Sequence, residues 1–308
     1  MLALVTTPDG PAPMAIREVA EPVPAANQAL IAVRAFSLNR GELASITRNG
    51  EGWIPGQDVS GVVLQAAADG SGPPVGARVV ALMDEFGWAE RAAVGTHRMA
   101  VLPDAVSFAQ AATLPVAGLT ALRTLRLGGA LVGRRVLVTG AAGGVGTLAV
   151  QIAARSGAQV TAVVGRADRI AGLRECGAAE VVEGIEAASG RYWLILESGG
   201  GASLSRSLKL IEPHGTVVVY GNSSTEPSTI SFADFRGAQN ARIQSFFYFT
   251  SEAEERFAPD LALLVSLIAA GSLRPVVGAD RSWREFAEIA EALRSRRIAG
   301  KAVFRPGD

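Results

Sequence analysis

The chain has 308 residues, 49% hydrophobic and 19% charged, which suits a folded two-domain protein and excludes a disordered one. Its 29 basic and 29 acidic residues cancel, and no basic tract stands out, so the electrostatic footprint of a nucleic-acid binder is missing. A single cysteine, Cys176, excludes an internal disulfide and fits a reducing compartment.

The first third reads as β-rich. Short apolar runs at 29–35, 59–64, 78–82 and 88–94 are punctuated by Pro55-Gly56, Asp69-Gly70, Gly72-Pro73-Pro74 and Val75-Gly76, which predicts strands in a barrel or compact sandwich-like domain. Helical spacing then takes over at 107–114, with Ser107 as N-cap, and at 118–127. From Arg135 the pattern alternates. A continuous apolar strand at 135–139 leads through a glycine turn to a helix at 147–156, ended by Gly157, and a strand at 159–164. A helix at 167–176 follows, then strands at 180–182 and 193–196, a helix at 202–210 and a strand at 216–220. Such alternation requires a parallel sheet with helices on both faces. The remainder predicts a strand at 242–248, a helix at 259–270, a short β segment at 275–277, a helix at 283–294 and a last strand at 302–304. The most apolar segment, 261–270, is shorter than the about 20 residues that cross a bilayer. The first residues lack a basic region followed by a long apolar stretch. The expectation is a soluble, cytoplasmic protein.

The glycine turn reads Gly140-Ala141-Ala142-Gly143-Gly144-Val145-Gly146. Between a strand and a helix, it matches a dinucleotide fingerprint. Gly140 lets the chain turn off the strand, Gly143 lets a pyrophosphate approach the backbone, and Gly146 lets the helix pack close to the sheet. The exposed N–H groups of the helix N-terminus then face the phosphates, and Gly144 and Val145 join the candidate cofactor-binding residues. The next strand ends Val164-Gly165-Arg166-Ala167-Asp168-Arg169. An NAD enzyme usually places an acid at this tip, to bond the ribose 2′-hydroxyl. Here the tip has none. Gly165 leaves room, and Arg166 and Arg169 are placed to neutralise a 2′-phosphate, which favours NADPH over NADH. Asp168 lies just past the tip, where it either caps the following helix or pairs with an arginine.

With these residues in hand, the chain resembles the medium-chain dehydrogenase/reductase superfamily, in its zinc-independent, quinone oxidoreductase-like branch. The landmarks fall in order along nearly the whole chain: Ser37-Leu38-Asn39-Arg40-Gly41-Glu42, Pro55-Gly56-Gln57-Asp58-Val59-Ser60-Gly61, Val75-Gly76-Ala77-Arg78-Val79, Leu102-Pro103-Asp104, Ala111-Ala112-Thr113-Leu114-Pro115, Gly118-Leu119-Thr120-Ala121, the glycine turn, and Gly300-Lys301-Ala302-Val303. The resemblance implies an α/β protein with a GroES-like β-rich domain (1–112 and 273–308) and a Rossmann doubly wound parallel sheet (113–272). It also implies an active site in the cleft between them, and a homodimer.

The resemblance also suggests site residues, each with a plainer reading beside it. Asn39 matches a residue placed near the nicotinamide, or is a turn residue at a strand end. Thr120 opens a helix beside the cleft, or caps it. Asn222 falls where relatives pass the cofactor, or serves a turn. Phe246 and Phe247 fall in the segment whose backbone meets the nicotinamide, or pack as aromatics. Lys301 matches a basic residue near the adenosine phosphate, or is a surface charge. Trp53 stands in the stretch where many quinone reductases carry a Tyr, as a wall of the acceptor pocket or as core. Glu183-Gly184 replaces a Tyr that contacts the 2′-phosphate in some relatives. Asp58 occupies an acidic position that pairs with a base inside the domain, and Cys176 reads as a small buried hydrophobe.

A zinc site takes about four ligands, usually Cys and His. This chain has only Cys176, His97 and His214, far apart, and reads Gly56-Gln57-Asp58 where zinc alcohol dehydrogenases carry Gly-His-Glu. No metal is expected, and hydride transfer to an already activated small-molecule acceptor, a quinone or α,β-unsaturated carbonyl, fits better than alcohol oxidation. No general acid stands out, so solvent or Tyr248 is left to deliver the proton. Two other functions stay open: an enoyl or tailoring reductase for one specialised metabolite, and a non-catalytic NADPH-binding sensor.

Overall fold

The computed structural model describes residues 1–10, 13–248 and 257–307. The chain separates into two compact units, Met1–Leu119 with Phe249–Asp308, and Thr120–Tyr248. In chain order the elements begin with β1 (Leu2–Thr6), β2 (Met14–Glu18), β3 (Gln28–Leu38), α1 (Arg40–Ile46), β4 (Asp58–Gln65), β5 (Arg78–Leu82), β6 (Arg91–Gly95), β7 (Met99–Val101), α2 (Phe108–Ala112) and α3 (Pro115–Arg126). They continue with β8 (Arg135–Thr139), α4 (Gly144–Arg155), β9 (Gln159–Val164), β10 (Glu180–Glu183), β11 (Tyr192–Glu197), α5 (Gly201–Leu210), β12 (Ile211–Val219) and β13 (Arg242–Ser245). The chain closes with α6 (Phe257–Ala269), β14 (Val277–Ser282), α7 (Phe286–Arg294) and β15 (Lys301–Arg305).

In the first unit, β14, β15, β3, β4, β5 and β7 form one sheet in that order, with β6 added to β3. All of these pairs are antiparallel except β14 with β15. Along β3, Ala29, Ile31, Val33 and Ala35 are buried at alternate positions, the period of a strand with one face on a core. The core centres on aromatics. Phe36 stacks on Trp88 at 5.6 Å, Trp88 meets Phe286 at 5.0 Å, and Phe304 lies 5.5 Å from Phe36 and 5.3 Å from Phe286. Each such pair adds about 0.5–1.5 kcal/mol beyond its buried area. Phe286 and Phe304 come from the last 23 residues, so the C-terminal return completes this core.

The second unit holds six parallel strands in the order β10-β9-β8-β11-β12-β13. This is a Rossmann sheet. The apolar residues of β8, Val136, Leu137 and Val138, are all fully buried, as a central strand covered on both faces requires. β8 and β11 are neighbours at the point where the strand order reverses.

Several expectations need correction. The helix expected at 167–176 is a single 3-10 turn at Ala167–Arg169 followed by turns, because Gly172 adopts φ +79° and leaves the helical region. The strand expected from Trp88 starts at Arg91, leaving Trp88 in the aromatic core. The strand at 242–248 stops at Ser245. The β1–β2 ribbon and α1 had no counterpart among the expected elements. The two compact units divide at 119/120 and 248/249, beside the expected domain limits of 112/113 and 272/273, and α6 packs on β7 of the first unit. Ser107 does cap α2: its hydroxyl accepts from Gln110 N at 3.2 Å, and the Gln110 side chain accepts from Ser107 N at 3.1 Å.

Candidate dinucleotide site

The end of β8 delivers the chain into the glycine turn at the reversal of strand order, where open α/β sheets bind their ligands. Gly140 takes φ +60°, a conformation that a side chain disfavours. A Cβ on Gly146 would lie 2.4 Å from the Gly140 carbonyl oxygen and 2.6 Å from Ala141 Cα, so no other residue lets α4 start this close to the turn. Gly143 is exposed and serves as the α4 N-cap without a side chain. The N–H groups of Gly144, Val145 and Gly146 belong to the first turn of α4, which an α-helix leaves without internal partners. They form a ready anion cradle.

At the tip of β9, Gly165 faces open space. Arg166 lies beside it, about half exposed. Its Nε donates to Asp168 Oδ1 at 3.0 Å, and its Nη2 makes a short bond to Oδ2. The guanidinium beside it holds the Asp168 carboxyl below the usual carboxylate range. The acid past the tip is therefore the counter-ion of the candidate phosphate-binding arginine, and the cap role left open for it falls away. Asn222 is exposed after β12, and its Oδ1 accepts from Ser224 Oγ at 3.0 Å. Phe246 continues from β13, with its N–H on the Val219 carbonyl at 2.9 Å. Phe247 is exposed and Tyr248 buried. Thr120, also buried, accepts at its carbonyl from Thr124 Oγ1 at 2.7 Å.

One group of residues escaped the sequence reading. Glu197 ends β11 and is fully buried. Its carboxylate accepts from Thr139 Oγ1 at 2.9 Å, Ser203 Oγ at 3.1 Å, Gly199 N at 2.7 Å and Gly200 N at 2.8 Å. Ser198 N donates to Thr139 Oγ1 at 2.8 Å, and Tyr220 OH to the Thr139 carbonyl at 3.4 Å. Loss of solvent pushes the Tyr220 hydroxyl up to about 12. The available signal was an acid at the end of an apolar strand, followed by Gly199-Gly200-Gly201.

Other candidates belong to the first unit and are tied up there. Lys301 is 5% exposed, and its Nζ donates to Asp58 Oδ2 at 2.9 Å, Asn39 Oδ1 at 2.5 Å and the Leu38 carbonyl at 3.2 Å. The pairing of Ala302 with Leu38 puts Lys301 beside Asn39, where it is the ion-pair partner of Asp58. Asn39 donates from Nδ2 to Asp58 Oδ2 at 2.9 Å and Glu42 Oε2 at 3.2 Å, which engages both ends of its amide inside the unit. Trp53 packs on the first unit's core and donates from Nε1 to Glu85 at 2.7 Å. Among the described residues, no three His, Cys, Asp or Glu side chains gather as a metal site would need, and no helix is long and apolar enough to cross a membrane.

The family model for zinc-binding dehydrogenases matches residues 144–266, a stretch with one cysteine and one histidine. A quinone oxidoreductase of Sus scrofa is 30% identical over 314 residues, covering 96% of this chain and 94% of that protein. The spectinabilin polyketide synthase system protein NorB of Streptomyces orinoci is 32% identical over 98% of this chain, which spans only 14% of that protein. The 2-methylene-furan-3-one reductase of Solanum lycopersicum is 29% identical, covering 82% of this chain and 63% of that protein. Among solved structures, Escherichia coli quinone oxidoreductase complexed with NADPH superposes with TM-score 0.87 at 22% identity, covering 99% of this chain and 100% of that one.

Proposed function

Because the chain belongs to the quinone oxidoreductase family of the medium-chain dehydrogenase/reductase superfamily, a family of oxidoreductases, we propose that it passes hydride from NADPH, without zinc, to a quinone or α,β-unsaturated carbonyl. The observation that carries the cofactor half is the pairing of the Gly140–Gly146 cradle with an acid-free β9 tip whose Arg166 stands half exposed beside Gly165. The residues fit the group: the cradle offers N–H donors at an exposed, side-chain-free N-cap, and the tip offers a fork of donors matched to a phosphate. When bound, the nicotinamide supplies the hydride; the protein's part is to orient it and exclude water. Gly144, Val145 and Gly146 would hold the pyrophosphate. Arg166 and Arg169 would hold the 2′-phosphate, and Asn222 and the Phe246–Phe247 segment would border the site. The proton reaches the product from solvent or from Tyr248, which is buried and follows the Phe246–Phe247 segment directly.

The Solanum relative supports the acceptor class, its name denoting a conjugated enone. The likeness to the NorB protein favours a second reading, a reductase for one specialised metabolite. We assign the protein to the cytoplasm on its single cysteine, and to a homodimer. The outermost strand of the second sheet, β13, supports the dimer, with Arg242, Ile243, Gln244 and Ser245 all exposed. Light scattering of the purified protein tests that state.

The deciding experiment follows NADPH oxidation with a panel of quinones and enones, with NADH alongside. Turnover preferring NADPH, reduced in Arg166→Ala, is the expected outcome. Unchanged NADPH affinity in Arg166→Ala would remove the 2′-phosphate assignment. Turnover of one narrow enone class would favour the second reading, and tight NADPH binding with no turnover would leave a sensor.

A further inference from the structure

Glu197 is a fully buried carboxyl, and none of its four donors is a charged side chain. Burial pushes its carboxyl upward, and only the hydrogen bonds from Gly200, Thr139, Ser203 and Gly199 offset that cost. Such an arrangement needs a reason, because an apolar residue at the end of β11 would avoid the cost of burying a charge. The reason lies in what the four donors belong to. Thr139 is the last residue of β8 and immediately precedes Gly140. Gly199 and Gly200 make the turn after β11, and Ser203 is in the first turn of α5. One carboxylate therefore joins the root of the glycine turn to the root of the next turn across the reversal of strand order.

Other bonds close the same seam. Ser198 N donates to Thr139 Oγ1 at 2.8 Å and Ser198 Oγ to the Thr139 carbonyl at 3.2 Å. Ser198 Oγ also sits 2.7 Å from where a Cβ on Gly140 would be. The geometry of Gly140 is thus set from the β11 side as well as from its own strand.

The structure assigns Glu197 as a positioning residue of the dinucleotide site: its carboxylate locks the end of β8 to the β11–α5 turn and so holds the Gly140 turn in the shape that receives a pyrophosphate. This rests on the reading of that turn as the NADPH cradle. Glu197 acts through Thr139 and Gly140 and lies beneath the site, out of contact with solvent.

The test compares Glu197→Ala, Glu197→Gln and Thr139→Val with wild type by NADPH titration, by KM for NADPH and by kcat at saturating NADPH, with thermal melts to confirm folding. Losing a charge-assisted clamp predicts an NADPH KM raised about tenfold or more in Glu197→Ala, with a smaller fall in kcat. Glu197→Gln restores most of the affinity, because its carbonyl still accepts from Gly199 and Gly200 and its amide donates to hydroxyls that also accept. Thr139→Val, which removes one donor without exposing the carboxylate, lies between. If Glu197→Ala does not fold, the paired variant Thr139→Val with Ser203→Ala takes its place. An NADPH KM unchanged in the folded variants overturns the assignment, as does a Gln variant no better than Ala. A wild type that binds no NADPH fails the underlying reading instead, and the two failures are distinct.

Discussion

Replacing Lys301 with methionine keeps the length of the side chain and removes its ammonium. In the folded protein that ammonium donates to Asp58, Asn39 and the Leu38 carbonyl, at a position 5% exposed and against an aspartate that is fully buried. Breaking a buried ion pair from one side costs about 3–5 kcal/mol, because a charge is left without its partner. Asp58 would keep donors at Ser37 Oγ (2.6 Å), Asn39 Nδ2 (2.9 Å) and Val116 N (2.8 Å), which places the loss at the lower end, about 3 kcal/mol. For a unit of this size that is a fall in Tm of about 6–12 °C. Denaturant titration read by tryptophan fluorescence, with a thermal melt beside it, gives both numbers. Asp58→Asn combined with Lys301→Met should recover part of the loss, since no buried charge remains. A Lys301→Met protein within about 1 kcal/mol of wild type, the scale of an exposed pair, would refute the buried-pair reasoning. The same protein separates structure from cofactor binding: NADPH KM should stay unchanged, and a raised KM at unchanged stability would return Lys301 to the cofactor.

Three further outcomes follow from the geometry. Gly146→Ala forces a Cβ to 2.4 Å from the Gly140 carbonyl; overpacking against backbone costs about 1–3 kcal/mol and should raise the NADPH KM, so a neutral variant would contradict the close approach. Asp168→Asn frees the Arg166 guanidinium, so NADPH should bind several-fold tighter with NADH little changed; weaker NADPH binding would show that Asp168 does more than occupy the arginine. Burial, then the nearby Asp58 charge, pushes Glu42 from 4.5 to about 8, against donors from Asn39 and Gln57 and the Lys301 charge. Between those values the folded state holds a proton that the unfolded chain has released. Stability from this group is therefore complete below about pH 4.5 and lost as pH rises to about 8, with a slope of at most about 1.4 kcal/mol per pH unit. Denaturant midpoints across this range should fall in wild type and flatten in Glu42→Leu; a rise in wild type would contradict the buried proton.

The Rossmann half was legible because its signals are local. The short, β-branched, mostly apolar runs at 136–138 and 160–164, bounded by turn glycines, read as buried strands of an alternating β-α pattern. Ser107 with Gln110 three residues on is likewise a local signature, and it caps a helix as expected. The helix expected at 167–176 failed for the opposite reason: its residues have helical propensity, but the left-handed Gly172 breaks the run after a single 3-10 turn. The strands of the β1–β2 ribbon are only five residues each, and β1 is held by segments distant in sequence: Ala3 and Val5 pack with Ile54 and Ala89, and Leu4 N donates to the Trp88 carbonyl.

What the sequence by itself determined, then, is the class of fold and the glycine turn proposed here as a dinucleotide cradle, since hydrophobic period and glycine placement act within a few residues. The partners of the charged side chains were decided only by tertiary structure. Lys301 reaches Asn39 across 262 positions because β15 pairs with β3 in one register, and Glu197 meets Thr139 because strand order puts β11 beside β8. A buried charge is tolerated only where donors from distant segments converge on it, and that convergence is a property of the folded sheet.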